Sequence, residues 1–242
     1  MPFTRPRHWL RWLIGSVVVL AVLAVTGPFV YIHFFNGSTP AALSLPSSAA
    51  TASGSSSTPA AGTVAAGGSA GGTWAVGSGS TVGYRVNENL LGQNTTAVGR
   101  TTSVSGHMAI SGTTVTAATF SVPMATIHSD KSQRDAQFDG RIMDVAQYPT
   151  GTFTLTSPIS LAPLPATGVI KDYTAHGNLT LHGTTRPVTF TLTTERKGTQ
   201  IDAVGHIQVL FSTWNIENPS FAGFVTTQNY GQLEFLLVFN KS

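Results

Sequence analysis

HGNLTLHGTTRPVTFTL, His176 to Leu192, reads as two β-strands joined by a tight turn. On the first strand Leu179 and Leu181 fall on one face, Asn178 and Thr180 on the other. Beyond the turn Val188, Phe190 and Leu192 alternate with Thr189, Thr191 and Thr193. Successive side chains in a strand point to opposite faces, so the pair predicts a sheet with one apolar side and one hydroxyl-covered side. Gly183 permits the turn, and Pro187 stands near the start of the second strand, where a missing N–H is tolerated.

The same alternation recurs on both sides of this pair. It predicts strands near 73–77, 80–86, 95–110 (two, or one broken by a turn), 115–124, 152–161, 173–181, 187–195, 201–211 and 233–239. The exception is KSQRDAQFDG, Lys131 to Gly140, which is rich in helix formers and follows Asp130, a candidate cap for a short helix. The class is therefore antiparallel all-β. Patterning alone is compatible with a two-sheet sandwich and with a closed barrel.

Three blocks, in order, resemble the YceI-like polyisoprenoid-binding family. Gly177, Leu179, Thr180, Gly183, Thr185, Arg186, Pro187 and Val188 fill the family's G-x-L-T-x-x-G-x-T-[RK]-P-V segment. Upstream, His128-Ser129, Arg134-Asp135, Phe138 and MDVAQYPTGTF (Met143 to Phe153) match a second block. The opening Trp74-Ala75-Val76 with Ser80 to Val86 matches a third. The pattern departs at Gly77-Ser78-Gly79, where an Asp is usual, and at Trp214 to Phe224, which lacks an Arg-x-Asp-Phe. The resemblance covers about residues 73–242. It implies an eight-stranded lipocalin-like antiparallel barrel with a short helical segment, and an isoprenoid lipid as ligand rather than a cofactor.

Ahead of that domain lie three other segments. Residues 1–12 are basic and are expected to be cytoplasmic. Leu13 to Phe35 is an apolar run without Asp, Glu, Lys or Arg. As a helix it reaches about 34 Å, enough to cross a hydrocarbon core of about 30 Å. A cleaved signal peptide is the rival reading, but the run exceeds the usual apolar core and no small-x-small site follows it directly. We expect a retained transmembrane anchor at 13–35, oriented by Arg5, Arg7 and Arg11 with the C-terminal domain outside the cell. Asn36 to Gly72 is Ala, Ser, Gly, Thr or Pro except at Asn36, Leu43, Leu45 and Val64. That composition predicts a disordered linker.

The formal charge of +3 comes from 13 Lys+Arg against 10 Asp+Glu, and the three N-terminal arginines supply the whole excess. A neutral domain has no general electrostatic reason to bind nucleic acid. With no cysteine, disulfides, thiolate metal sites and thiol nucleophiles are excluded. The domain histidines His107, His128, His176, His182 and His206 are scattered and form neither His-x-His nor HExxH, so no metal site is expected. There is no Gly-x-Ser-x-Gly elbow and no recognisable carboxylate pair, and no catalytic residue is expected.

Face alternation turns Phe120, Phe153, Leu155, Phe190, Leu192, Phe235 and Leu237 inward. As residues alone they read as core filling. With the resemblance they read as the wall of an apolar cavity for an isoprenoid tail. Arg134 and Asp135 read either as a salt-bridged pair on a surface helix or, for Arg134 with Lys131, as contacts for a polar or phosphate head group, with Arg141 and Arg186 as competitors. The expected protein is a membrane-anchored binding protein for an amphiphilic isoprenoid. The alternatives are a ligand-free β-domain displayed for protein interaction and an unrecognised hydrolase.

Overall fold

The computed structural model describes residues 12–17, 20, 39–46, 70–90, 92–221, 223 and 225–242. Thirteen strands join in one antiparallel sheet: β1 Gly72–Val76, β2 Thr81–Leu90, β3 Gln93–Thr101, β4 Ser105–Ser111, β5 Thr114–Pro123, β6 His128–Ser129, β7 Thr150–Leu155, β8 Ile159–Ser160, β9 Ile170–Leu181, β10 Thr184–Lys197, β11 Gln200–Leu210, β12 Val225–Thr227 and β13 Tyr230–Lys241. The order β1-β4-β5-β7-β9-β10-β11-β13 closes on itself because β13 also pairs β1, with Val76 opposite Phe239. These eight strands are the barrel. β2 takes the other part of the same β13 edge, with Phe235 opposite Val82, and carries β3 and β6 outward from it.

The hairpin that opens the sequence shows why the barrel closes in this register. His182 and Gly183 both have positive φ, 46° and 68°, which is the two-residue turn whose twist suits paired strands. Leu181 then faces Thr184, and Pro187 faces Asn178. β10 pairs β11 only from Leu192 onward, so Pro187 falls where the strand has a single neighbour and no ladder bond is lost. Leu179 and Leu181 are buried in the interior cluster, against which Val188, Phe190 and Leu192 pack. Interior polar side chains would go unpaired here, and the alternating pattern keeps them outside.

The helix departs from expectation at its start. The helix runs Ser132–Gln137 and continues as a wider turn, Phe138–Ile142. No side chain caps it, because Asp130 pairs with Arg134 one turn along instead. Within the span expected to be a disordered linker, Pro40, Ala41 and Leu43 of the described stretch 39–46 are hydrogen-bonded to the barrel wall. Finally, among the described residues no helix is long and apolar enough to cross a membrane. Of the expected span at 13–35 only 13–17 and 20 are described, and the remainder lies outside the described residues.

Candidate functional site: two adjoining apolar cavities

The barrel interior holds a cavity of about 180 Å³. Phe120, Phe153, Leu155, Phe190, Leu192, Phe235 and Leu237 all line it. Four of them form a chain of ring contacts, Phe120–Phe153 at 6.2 Å, Phe153–Phe190 at 5.6 Å and Phe190–Phe235 at 5.7 Å between centroids. The rings have room because glycine stands opposite. A Cβ on Gly177 would meet the Phe153 ring at 2.2 Å, and one on Gly205 the Phe235 ring at 2.4 Å. At one end of the lining, Tyr173, Thr194 and Arg196 interrupt the apolar wall. The Tyr173 hydroxyl is buried without a hydrogen-bond partner among the described residues, and burial pushes its pKa up.

A second cavity, of about 430 Å³, lies beneath the short helix. Gly83, Met124, Ile127, Leu181 and Leu233 line both spaces and form the partition between them. Tyr84 and Phe138, both in the lining of this second cavity, stack on each other with centroids 5.0 Å apart and planes 14° from parallel. Burial raises the pKa of Tyr84 and keeps it a neutral donor, although nearby Arg134 acts the other way. The rim is cationic: Lys131, Arg134 and Arg141 all contribute to the lining.

These cations are not equally available. Arg134 gives Nη2 to Glu88 at 3.2 Å and Nη1 to Asp130. Burial disfavours its charge, but Glu88 and Asp130 outweigh that and raise its pKa. Arg141 donates to Glu217 at 2.6 Å and to the carbonyls of Asn218 and Pro219. Among the described residues, Lys131 pairs with Asp130 alone, at 4.0 Å. The Arg134–Asp135 pair expected from sequence does not form, since adjacent helical residues do not face one another. Asp135 instead accepts from the Ser129 amide and hydroxyl, at 2.8 and 2.6 Å. Arg186 binds the Thr213 carbonyl at 3.0 Å and reaches neither cavity. Sequence reasoning missed the partition, because Met124 and Ile127 sit in a turn with no periodicity to assign them a face. Among the described residues, no cluster of three or more His, Asp or Glu is placed to hold a metal ion.

A sequence profile of the YceI-like domain matches residues 74–239. The chain belongs to the YceI-like family. The match begins within β1 and ends within β13, so the family domain is the barrel together with its β2–β3 extension and helix. No curated protein matches this YceI-like chain in sequence. Among solved structures, the chain is similar to a polyisoprenoid-binding domain from Saccharophagus degradans implicated in plant cell wall breakdown. That likeness has 16% identity and a TM-score of 0.59, and covers 70% of this chain and 98% of that one. It is also similar to BcnA of Burkholderia cenocepacia, at 22% identity and a TM-score of 0.53, over 66% of this chain and 95% of that one. At such identities these likenesses speak for the YceI-like fold alone.

Proposed function

We propose that the protein is an extracytoplasmic binding protein, anchored by residues 13–35, that holds an amphiphilic isoprenoid of the polyprenyl phosphate or quinone type. The observation that carries this reading is the pair of adjoining apolar spaces, one packed with rings and one rimmed with cations. A cavity of about 150 Å³ takes one benzene. The inner cavity, about 180 Å³, therefore accepts roughly one branched five-carbon unit as it stands. The outer one, about 430 Å³, falls within the usual range of ligand pockets. The tail enters beneath the helix, fills the outer cavity, and extends inward when Met124, Leu181 and Leu233 move aside. Burial contributes about 0.8 kcal/mol per CH₂, so each five-carbon unit adds about 4 kcal/mol to offset the cost of association, without any reacting group. Lys131, the least neutralised rim cation, is the contact for an anionic head, with Arg134 beside it. The named ligand class of the Saccharophagus domain supports the same reading. The family is one of binding domains, and nothing in the two cavities supplies a nucleophile and base in register.

Titration of the full-length protein with a short polyprenyl phosphate, and with inorganic phosphate as control, tests the proposal. Saturable binding of the prenylated compound only is expected. Equal response to both, or to neither, removes the tail cavity from the account.

A further inference from the structure

The outer wall of the barrel carries a charge cluster that the cavities do not use. On β13 the residues Leu233, Phe235 and Leu237 face the cavity, so Glu234 faces outward. It is nevertheless 0% exposed. Its Oε1 accepts from Arg100 Nε at 2.9 Å and Nη2 at 2.7 Å, and its Oε2 accepts from Arg85 Nε at 3.3 Å. The fourth donor comes from far upstream: the Leu43 amide, 3.3 Å from Oε2. Carbonyls of the same upstream segment accept from both arginines' Nη2 as well, Pro40 from Arg85 at 2.8 Å and Ala41 from Arg100, whose Nη2 is shared with Glu234.

Both sides of this contact are complete only together. A carboxylate has about four acceptor sites, and four donors fill those of Glu234. Two guanidinium groups facing one carboxylate leave N–H groups over, and backbone carbonyls of the segment take them. The segment itself is built for an extended docking. Pro40 and Pro46 hold their predecessors out of the helical region, and Leu43 and Leu45 are half-buried while Ala42 and Ser44 are exposed, which is strand-like alternation. On the wall, Val98, Val204 and Val238 are buried yet stand outside the interior cluster. Val98 lies opposite Arg85, and Val204 lies on β11 opposite Leu236, two residues along β13 from Glu234.

We infer that the face centred on Glu234, Arg85 and Arg100 is a peptide-binding surface whose partner is the chain's own Thr39–Pro46, docked in cis. The connection favours cis: residues 47–69 intervene before the barrel, and even half extended they span tens of ångströms. The consequence, which rests on the anchor at residues 13–35, is a short leash. Only residues 36–38 separate the expected membrane segment from the docked one, so that Phe35 and Thr39 are at most about 14 Å apart. The barrel is then held close to the bilayer with this wall turned towards its anchor, instead of swinging on the full 36–72 span.

Amide hydrogen exchange on the full-length protein in lipid nanodiscs tests the docking, with and without the double substitution Leu43→Ser, Leu45→Ser. Neither residue belongs to the barrel, so the variant leaves the fold intact, as β13 amides report in the same experiment. The Leu43 amide is expected to exchange at least about tenfold more slowly than an unstructured amide, the least that a hydrogen bond to a charged acceptor supplies, and to lose this in the variant. Exchange at the unstructured rate in the unaltered protein, with β13 still protected, overturns the inference. Protection that fades on dilution overturns the cis docking in favour of a second copy. The readout involves no lipid ligand, so failure of isoprenoid binding leaves the docking untouched, and failure of the anchor removes only the short leash.

Discussion

In the inner cavity, phenyl rings from β5, β7, β10 and β13 touch one another in sequence and leave about 180 Å³. Beneath the helix, a single stacked pair, Tyr84 and Phe138, borders about 430 Å³ with three cations at the rim. The first region resembles a hydrophobic core with a gap, and the second a binding site with a greasy floor. A barrel of eight strands is just wide enough to be filled by side chains or to hold one small ligand, and under the proposed function the filled space is the barrel interior and the ligand's main space the one beneath the helix. Stability should therefore depend mostly on the inner rings, and occupancy on the partition and the outer space.

Replacing an inner ring is the most severe way to break that contrast. Phe153→Ala should cost about 3–5 kcal/mol in a denaturant titration while leaving ligand affinity within severalfold, since the tail's main volume lies elsewhere. Gly205→Ala should cost less, about 1–3 kcal/mol, because its Cβ must push aside the Phe235 ring that now sits 2.4 Å from that position. Leu233→Trp at the partition should invert the pattern, reducing polyprenyl phosphate binding at least tenfold with a smaller loss of stability. Lys131→Ala should change stability by less than about 1 kcal/mol, as a partly exposed pair at 4.0 Å implies, and should weaken a prenyl phosphate more than an uncharged prenol. The outward Thr191→Ser should change neither quantity, staying within about 0.5 kcal/mol. If Phe153→Ala abolished binding and Leu233→Trp did not, the roles of the two cavities would be exchanged.

The wall of the inner cavity was legible because it lies on strands. Period-two alternation assigns a face to Phe120, Phe190 and Phe235 without knowledge of their neighbours. The hairpin at His182-Gly183 was legible for a related reason, since a tight turn demands a residue that tolerates positive φ. The outer cavity was not legible. Strands supply part of its lining, notably Tyr84, Val86 and Leu90 of β2, but the rest comes from a turn (Met124, Ile127), a widened helical turn (Phe138, Ile142) and β12, where no period says that these residues meet β2. The docked segment lay between. Leu43 and Leu45, two apart and bracketed by Pro40 and Pro46, interrupt a run of small residues in the spacing of a strand. Their meaning depends on Glu234, some 190 residues away in sequence, on the outward face of β13. Local patterns reveal faces, but a contact between two outward-facing elements needs the fold first.

The central claim is that the interior is a lipid site rather than a loosely packed core. Mass spectrometry of the organic extract of the full-length protein, purified from a membrane-bearing host without added lipid, tests it most directly. The account predicts a prenyl-containing amphiphile in near-stoichiometric amount, diminished at least tenfold in Leu233→Trp and retained in Thr191→Ser. An extract free of such lipid, from protein that also fails to take up polyprenyl phosphate from vesicles, would contradict it and leave the rings as a core.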